Sequence, residues 1–206
     1  MDRAHGYPVP SGTHETEEVI LRSRFRTIVG PAPDVESAHS FVHVVRDRFP
    51  DASHHCWAFV AGPPGDTAQV GMSDDGEPSG TAGRPMLTTL LHSGIGEIVA
   101  VCTRWYGGTN LGTGGLQRAY TSGVKRTLED LPVLERIART RFEVHFGYPH
   151  VDAIQRLLAE IDGHVLQESY GGDVRYRVEI PEIRVTRFSR ELADLTSGEG
   201  KMRRVD

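Results

Sequence analysis

The chain has 206 residues, 38% of them hydrophobic, which suits one or two packed domains and excludes a disordered or fibrous protein. Its formal net charge of −5 does not mark a polybasic nucleic-acid binder. No apolar run approaches the ~18–20 residues that cross a bilayer, so a membrane partner is not expected.

Twelve of the 23 glycines fall between Gly71 and Gly123. Glycine serves where backbone turns through positive φ or approaches another group closely, so this clustering is the first functional lead. The two cysteines, Cys56 and Cys102, sit in apolar runs outside any Cys-x-x-Cys motif. They read as buried free thiols of a reducing compartment. Residues 1–18 are polar and lack the apolar core of a signal peptide, so a cytoplasmic location is expected.

Residues 1–16 are expected to be a flexible arm. Glu17 to Gly30 is rich in β-branched residues and predicts one strand, ended by Gly30-Pro31. Asp34 is placed as an N-cap, and Ala38, Phe41, Val42, Val45 and Phe49 recur at helical spacing, predicting a helix over 35–48. Trp57–Ala61 predicts a short strand, with Gln69–Met72 pairing beside it. Two helices follow, from Pro85 to Ser93 and from Gly115 to Asp130. Between them Ile98–Cys102 is continuously apolar, as in a strand covered on both faces. Leu131–Glu135, with Pro132, reads as the link between a first domain over 17–135 and a second over 136–206. The second alternates Phe142, Val144 and Phe146, then places Val151, Ile154, Leu157, Leu158 and Ile161 at helical spacing. After the Gly171-Gly172 hairpin signal, Val174, Tyr176, Val178 and Ile180 alternate with Arg175, Arg177 and Glu179. A helix marked by Val185, Phe188, Leu192 and Leu195 and a short last segment complete a strand-helix-strand-strand-helix-strand order, the split ferredoxin-like unit.

Four clusters in the first domain could carry chemistry. His54 and His55 are adjacent on a strand, so they point to opposite faces and share one metal site only with a bend; with Cys102 they could supply zinc ligands, but the spacing matches no standard zinc pattern. Asp74, Asp75 and Glu77 in Asp74-Asp-Gly-Glu-Pro-Ser-Gly-Thr-Ala-Gly83 could hold a divalent cation, but lack the alternating Asp pattern of a calcium loop. Equally, they could accept backbone N–H bonds in an ordered loop. Arg104-Trp-Tyr-Gly-Gly108 leaves the end of a buried strand, where Arg binds phosphate or pairs with a loop carboxylate and the aromatics stack or pack. Leu111-Gly-Thr-Gly-Gly-Leu-Gln-Arg-Ala-Tyr120 opens a helix with glycines that expose N–H groups to an anion. It is neither a Walker A loop nor a dinucleotide fingerprint. Arg118, Lys125 and Arg126 could reinforce it.

Taken together, these three runs resemble the signature of the IMPACT/YigZ family, and Ala52-Ser-His-His-Cys-Trp-Ala58 adds to the match. The resemblance covers residues about 17–130, and the remainder is similar to the smaller C-terminal domain of bacterial members. It implies an α+β fold of two-layer α/β sandwiches. The first domain would be like the RNase P protein and domain IV of elongation factor G, and the second like that factor's ferredoxin-like domain V. Asn110 stands where the family often carries lysine, which removes a cation, whereas Trp57 and Trp105 preserve aromatic character.

That fold pairing implies contact with RNA or the ribosome. The leading expectation is therefore a non-catalytic regulator of translation that binds an anionic ligand at a Gly-rich cleft. Its ligand-binding residues would be His54, Asp74, Asp75, Glu77, Thr81, Arg104, Tyr106, Gly107, Gly108, Gly112, Gly114, Gly115, Arg118 and Tyr120. No catalytic residue, metal ligand or cofactor is assigned, and no protein partner is identified. The alternative is a metal-dependent hydrolase or phosphotransferase, with Asp74, Asp75 and Glu77 on the metal and His54 as acid–base group. A third reading has the carboxylates pairing with Arg104 and Arg118 simply to fix the fold.

Overall fold

The computed structural model describes residues 6–205. Contacts divide the chain into two units, one of Tyr7–Arg136 and one that begins at Ile137.

The first unit opens with strands β1 (Tyr7–Pro10), β2 (His14–Ile20) and β3 (Ser23–Pro31). The single strand expected over 17–30 is therefore a hairpin. Its two-residue turn, Leu21-Arg22, has φ of 45° and 67°. Two left-handed residues suit the twist of a tight hairpin, but neither is the Asn, Asp or Gly that normally announces one. The flexible arm expected over 1–16 also needs correction. Residues 1–5 lie outside the described residues, but Tyr7–Pro10 pairs antiparallel with a strand at Val133–Arg136, and His14–Thr16 belong to β2. Tyr7 further donates its hydroxyl to Glu97 at 2.7 Å, and Ser11 N–H donates to Pro132 at 2.9 Å. Much of the expected link at 131–135 is thus a paired strand.

Helix α1 (Val35–Arg48) begins where Asp34 accepts the Ser37 N–H at 2.7 Å. Strands β4 (His54–Val60), β5 (Val70–Ser73) and β6 (Ile98–Trp105) complete an antiparallel sheet in the order β2-β3-β6-β4-β5. Helices α2 (Gly83–Leu91) and α3 (Thr113–Glu129) pack on one face, against Phe25, Val29, Cys56, Ala58, Ile98, Ala100 and Cys102. Helix α1 packs on the other, against Ile28, Phe59, Val99 and Val101. The central strand β6 is covered on both sides, which explains its unbroken apolar run. Each large side chain fully buried here, such as Met86, Leu90 or Phe25, contributes about 1.5–3 kcal/mol. Both helices on the first face start two residues earlier than the sequence pattern suggests, because their opening glycines are themselves helical.

Strand β7 (Val133–Arg136) closes this unit. The second contains β8 (Arg139–Phe146), α4 (Val151–Glu160), β9 (His164–Tyr170), β10 (Val174–Pro181), α5 (Val185–Leu195) and β11 (Lys201–Val205). Its strands run antiparallel in the order β11-β8-β10-β9. Phe142, Val144, Phe146, Tyr176 and Val178 face α4 and α5, where Ile154, Leu158, Phe188 and Leu192 complete the core. This is the expected α+β architecture in each half. Among the described residues, no helix is long and apolar enough to cross a membrane.

The strained hairpin turn yields a stability prediction. Leu21 is exposed, and Asn tolerates the left-handed region better than Leu. Leu21→Asn should raise the unfolding free energy by roughly 0.5–1 kcal/mol, read from urea denaturation.

Candidate functional site

The loop between β5 and α2 is organised from within. Asp74 accepts from Gly80 N–H at 2.7 Å through one carboxylate oxygen, and from Ala82 and Gly83 N–H at 2.9 and 2.8 Å through the other. It thereby caps α2, whose N-cap residue Ala82 has no side chain for the task. Partial burial pushes the Asp74 carboxyl up, but the three backbone donors outweigh it and hold the group below its ordinary value. Asp75 adopts φ 43° and turns the other way. It pairs with Arg46 of α1 and accepts from His55 N–H at 2.6 Å. Thr81 is buried and donates its hydroxyl to Pro78.

Glu77 is the third carboxylate and the most buried. One of its oxygens accepts from Arg104 at 2.6 Å and from the Tyr120 hydroxyl at 2.8 Å. Arg104 also donates to Ser23 at 3.2 Å, and its guanidinium lies 5.2 Å from the Phe25 ring centre and 5.4 Å from that of Tyr106. The side chains of Arg104 and Glu77 are only 5% and 3% exposed, so this ion pair is a core element. It ties the loop to β6, β3 and α3. Arg104 Nε is buried without a partner among the described residues. Tyr120, fully buried, accepts from Cys56 Sγ at 3.3 Å, and burial pushes its hydroxyl far above its ordinary pKa. Burial likewise pushes the Cys56 thiol up, and the Cys102 thiol to about 12. Both are protonated, buried thiols rather than nucleophiles.

Above this cluster opens a cleft of about 490 Å³, lined by His54, Glu77, Arg104, Tyr106, Asn110 and the Gly112-Thr113 start of α3, among others. Gly112 has φ 71° and serves as the N-cap without any side-chain cap bond, and no acidic residue occupies the first turn. The first N–H groups of α3 therefore lack the usual partner, a setting that favours an anion. Gly107 lies beside the cleft for a steric reason. A Cβ there would sit 2.1 Å from the Arg22 backbone, and its N–H donates to Ser23 at 3.1 Å. Gly108 follows at φ 80°.

Five of the fourteen expected ligand residues thus line one cleft: His54, Glu77, Arg104, Tyr106 and Gly112. Gly114 and Gly115 form the first turn of α3 with Arg118 over it, its Nη1 3.5 Å from where a Gly114 Cβ would stand. Asp74, Asp75, Thr81 and Tyr120 support the loop instead of lining the cleft. His54 bonds the Asp75 carbonyl at 2.8 Å, whereas His55 faces α1 and bonds Thr103 at 3.1 Å. Burial pulls the His55 pKa below its ordinary value. Two of the three supporting cations expected here lie elsewhere. Arg126 pairs with Glu18, and Lys125 lines a separate groove of about 930 Å³ with residues of α2 and α3. Arg118 does not pair with the loop carboxylates. Among the described residues, no three His, Cys, Asp or Glu side chains are grouped to hold a metal. Sequence reasoning missed Ser23, Arg46 and Thr113. Ser23 lies 81 positions from Arg104 and carries no local signal.

A family model described as the Impact N-terminal domain matches residues 21–128, and one described as a domain of unknown function, DUF1949, matches residues 144–199. IMPACT family member YigZ of Escherichia coli (strain K12) is 44% identical over 190 residues, covering 92% of this chain and 93% of its own. The chain belongs to the IMPACT family. Another IMPACT family member, from Haemophilus influenzae, is 41% identical over 93% of each chain, and IMPACT family member YvyE of Bacillus subtilis is 32% identical over 97% of this one. A solved structure described only as that of a hypothetical protein superposes with a TM-score of 0.71 at 42% identity, over 98% of each chain. The Glu77–Arg104–Tyr120 cluster therefore sits inside the IMPACT N-terminal domain.

Arg104→Met leaves Glu77 buried without its cation and should cost about 3–5 kcal/mol in urea denaturation. The double variant Glu77→Leu/Arg104→Met should recover much of that loss, because no uncompensated charge remains. Asp74 predicts a pH dependence. Its folded pKa lies below the ordinary 3.8, so its contribution is complete above that value and is lost as pH falls through the lower folded pKa. The stability gap between wild type and Asp74→Asn should be constant near neutral pH and shrink below about pH 4.

Proposed function

We propose that this IMPACT-family chain is a non-catalytic, RNA- or ribosome-associated regulator of translation that receives an anionic group, of the phosphate class, in the cleft at the start of α3. The observation that carries this reading is the uncapped, glycine-opened N-terminus of a 17-residue helix facing a cleft that also holds His54, Arg104 and Asn110. Exposed N–H groups and the helix dipole favour negative charge there. The loop acids do not oppose it. Asp74 is held by three N–H groups, Asp75 by Arg46 and Glu77 by Arg104, so their charges are answered within the protein. The Asn110 amide adds a donor at the rim, its carbonyl accepting from the Tyr106 hydroxyl, and Arg118 stands over the first helical turn.

The metal-dependent hydrolase reading has no comparable support. It needs Asp74, Asp75 and Glu77 to converge, and each is turned toward a different partner.

Thr113→Asp separates binding from folding. A carboxylate in the first turn of α3 stabilises the helix by about 0.3–1 kcal/mol but repels an incoming phosphate. Filter binding to tRNA and ribosomes at two salt concentrations should show severalfold weaker binding with an unchanged or raised Tm. Equal binding by wild type and variant would remove the cleft from the interface.

A further inference from the structure

Among the described residues of the C-terminal unit, α4 and α5 pack on one face of the sheet. Phe142, Val144, Tyr176 and Val178 point to α4 and α5, so the intervening residues of each strand share the opposite face. Strand β8 contributes Arg141, Glu143 and His145, β10 contributes Arg175, Arg177 and Glu179, and β11 contributes Lys201 and Arg203. The pairing aligns these rows. Arg175 is opposite His145, Arg177 and Arg203 flank Glu143, and Lys201 is opposite His145. Five cations thus share three adjacent strands with two carboxylates.

The whole segment 139–206 is close to neutral, with 11 basic and 12 acidic residues. The positive character of this face therefore comes from segregation in the fold, not from composition. The carboxylates are also muted. Glu143 bonds His145 at 2.9 Å, with Arg203 at 3.6 Å, and Glu179 pairs with Arg141 at 3.1 Å. The His145 bond holds the Glu143 carboxyl below its ordinary range. Arg175 and Arg177 are exposed and make no ion pair among the described residues, and Arg203 is 76% exposed.

We infer that this open sheet face is a docking surface for the phosphate backbone of RNA. The proposal rests on the RNA reading above and assigns a second surface to it. Same-face residues along a strand stand about 6.8 Å apart and neighbouring strands about 4.8 Å, so the cations form a flat lattice rather than a point site. Four of the five are arginines, whose planar fork suits phosphate. Among the described residues, the apolar members of these rows on β8, β10 and β11 are Val205 and Pro181 at their far ends, opposite Arg141 and Arg139, and the one aromatic ring is the His145 imidazole, held by Glu143. A protein interface would need an apolar centre, and a membrane-surface helix or patch an apolar wedge. Without aromatic platforms, bases are not stacked or read, and binding is independent of sequence.

The test uses the full chain and a fluorescein-labelled, 20-nucleotide mixed-sequence single-stranded RNA of the experimenter's choice, with a scrambled control (about two phosphates neutralised per arginine pair). Anisotropy is read between about 50 and 200 mM KCl. Arg175→Gln/Arg177→Gln should lower the slope of log K against log salt by about 1.4, so wild type loses about sevenfold more affinity than the variant across that range. The scrambled RNA should bind as well as the original, and Arg156→Gln/Arg190→Gln, which removes the same charge from the helical side, should keep the wild-type slope. A wild-type slope in the 175/177 variant, with RNA still bound, overturns this surface and leaves the cleft reading standing. An equal loss in the 156/190 variant also overturns it, because bulk charge then accounts for the effect. No salt-dependent RNA binding by wild type removes the RNA reading and this inference together. Loss of binding to phosphatidylserine vesicles with RNA binding intact shows a membrane occupant and overturns the assignment to RNA.

Discussion

The first unit turns on one buried ion pair. Arg104 leaves the end of β6, Glu77 comes from the loop before α2, and Tyr120 comes from α3. Their meeting point has almost no contact with water, so each group depends on the others for its hydrogen bonds. A buried pair of this kind adds little net stability over an apolar substitute, yet losing one member is expensive. Its value is in specificity. Here the Glu77 carboxylate, two guanidinium nitrogens of Arg104 and the Tyr120 phenol bond across loop, strand and helix, which fixes the three elements to one another. The cleft takes its shape from that arrangement, because Glu77 and Arg104 form its floor and α3 its wall.

The same constraint explains why the acidic loop is not an acidic site. Three carboxylates within four residues would repel one another if they faced one way. Instead they diverge, one into the backbone of α2, one to α1 and one into the core. Each acts as a local fastener. The negative charge that the sequence concentrates here is answered inside the protein, and the start of α3, with no acidic residue in its first turn, faces the cleft.

The second unit reaches a related result by a different route. A two-layer sandwich with helices on one side exposes the other side of its sheet. Alternation then sorts side chains without reference to overall charge, so a nearly neutral segment presents a basic face. The arginines at 175 and 177 are separated from the core by one peptide unit each, which forces them outward whenever Val174, Tyr176 and Val178 turn inward.

Local chemistry determined a large part of this protein. Periodicity alone placed α1, α4, α5 and the strands at 142–146 and 174–180, because helix and strand burial imprint spacings of 3.6 and 2 on the chain. The glycine runs marked both helix entrances, and the acidic run together with Arg104 and Tyr120 carried the family resemblance. Three matters were decided only by tertiary structure. The Leu21-Arg22 turn has no turn residue and is held by the pairing of β2 with β3, while β1 is ordered by a partner more than a hundred positions away. The expected fourteen-residue site separates into cleft residues and fasteners, because a carboxylate's role depends on which donors reach it. The strands and helices that bring Arg46 and Arg104 to those carboxylates, and Ser23 to Arg104, are distant in the chain. Sequence spacing records which side chains are available, and the packing of distant elements decides which of them remain open to a ligand.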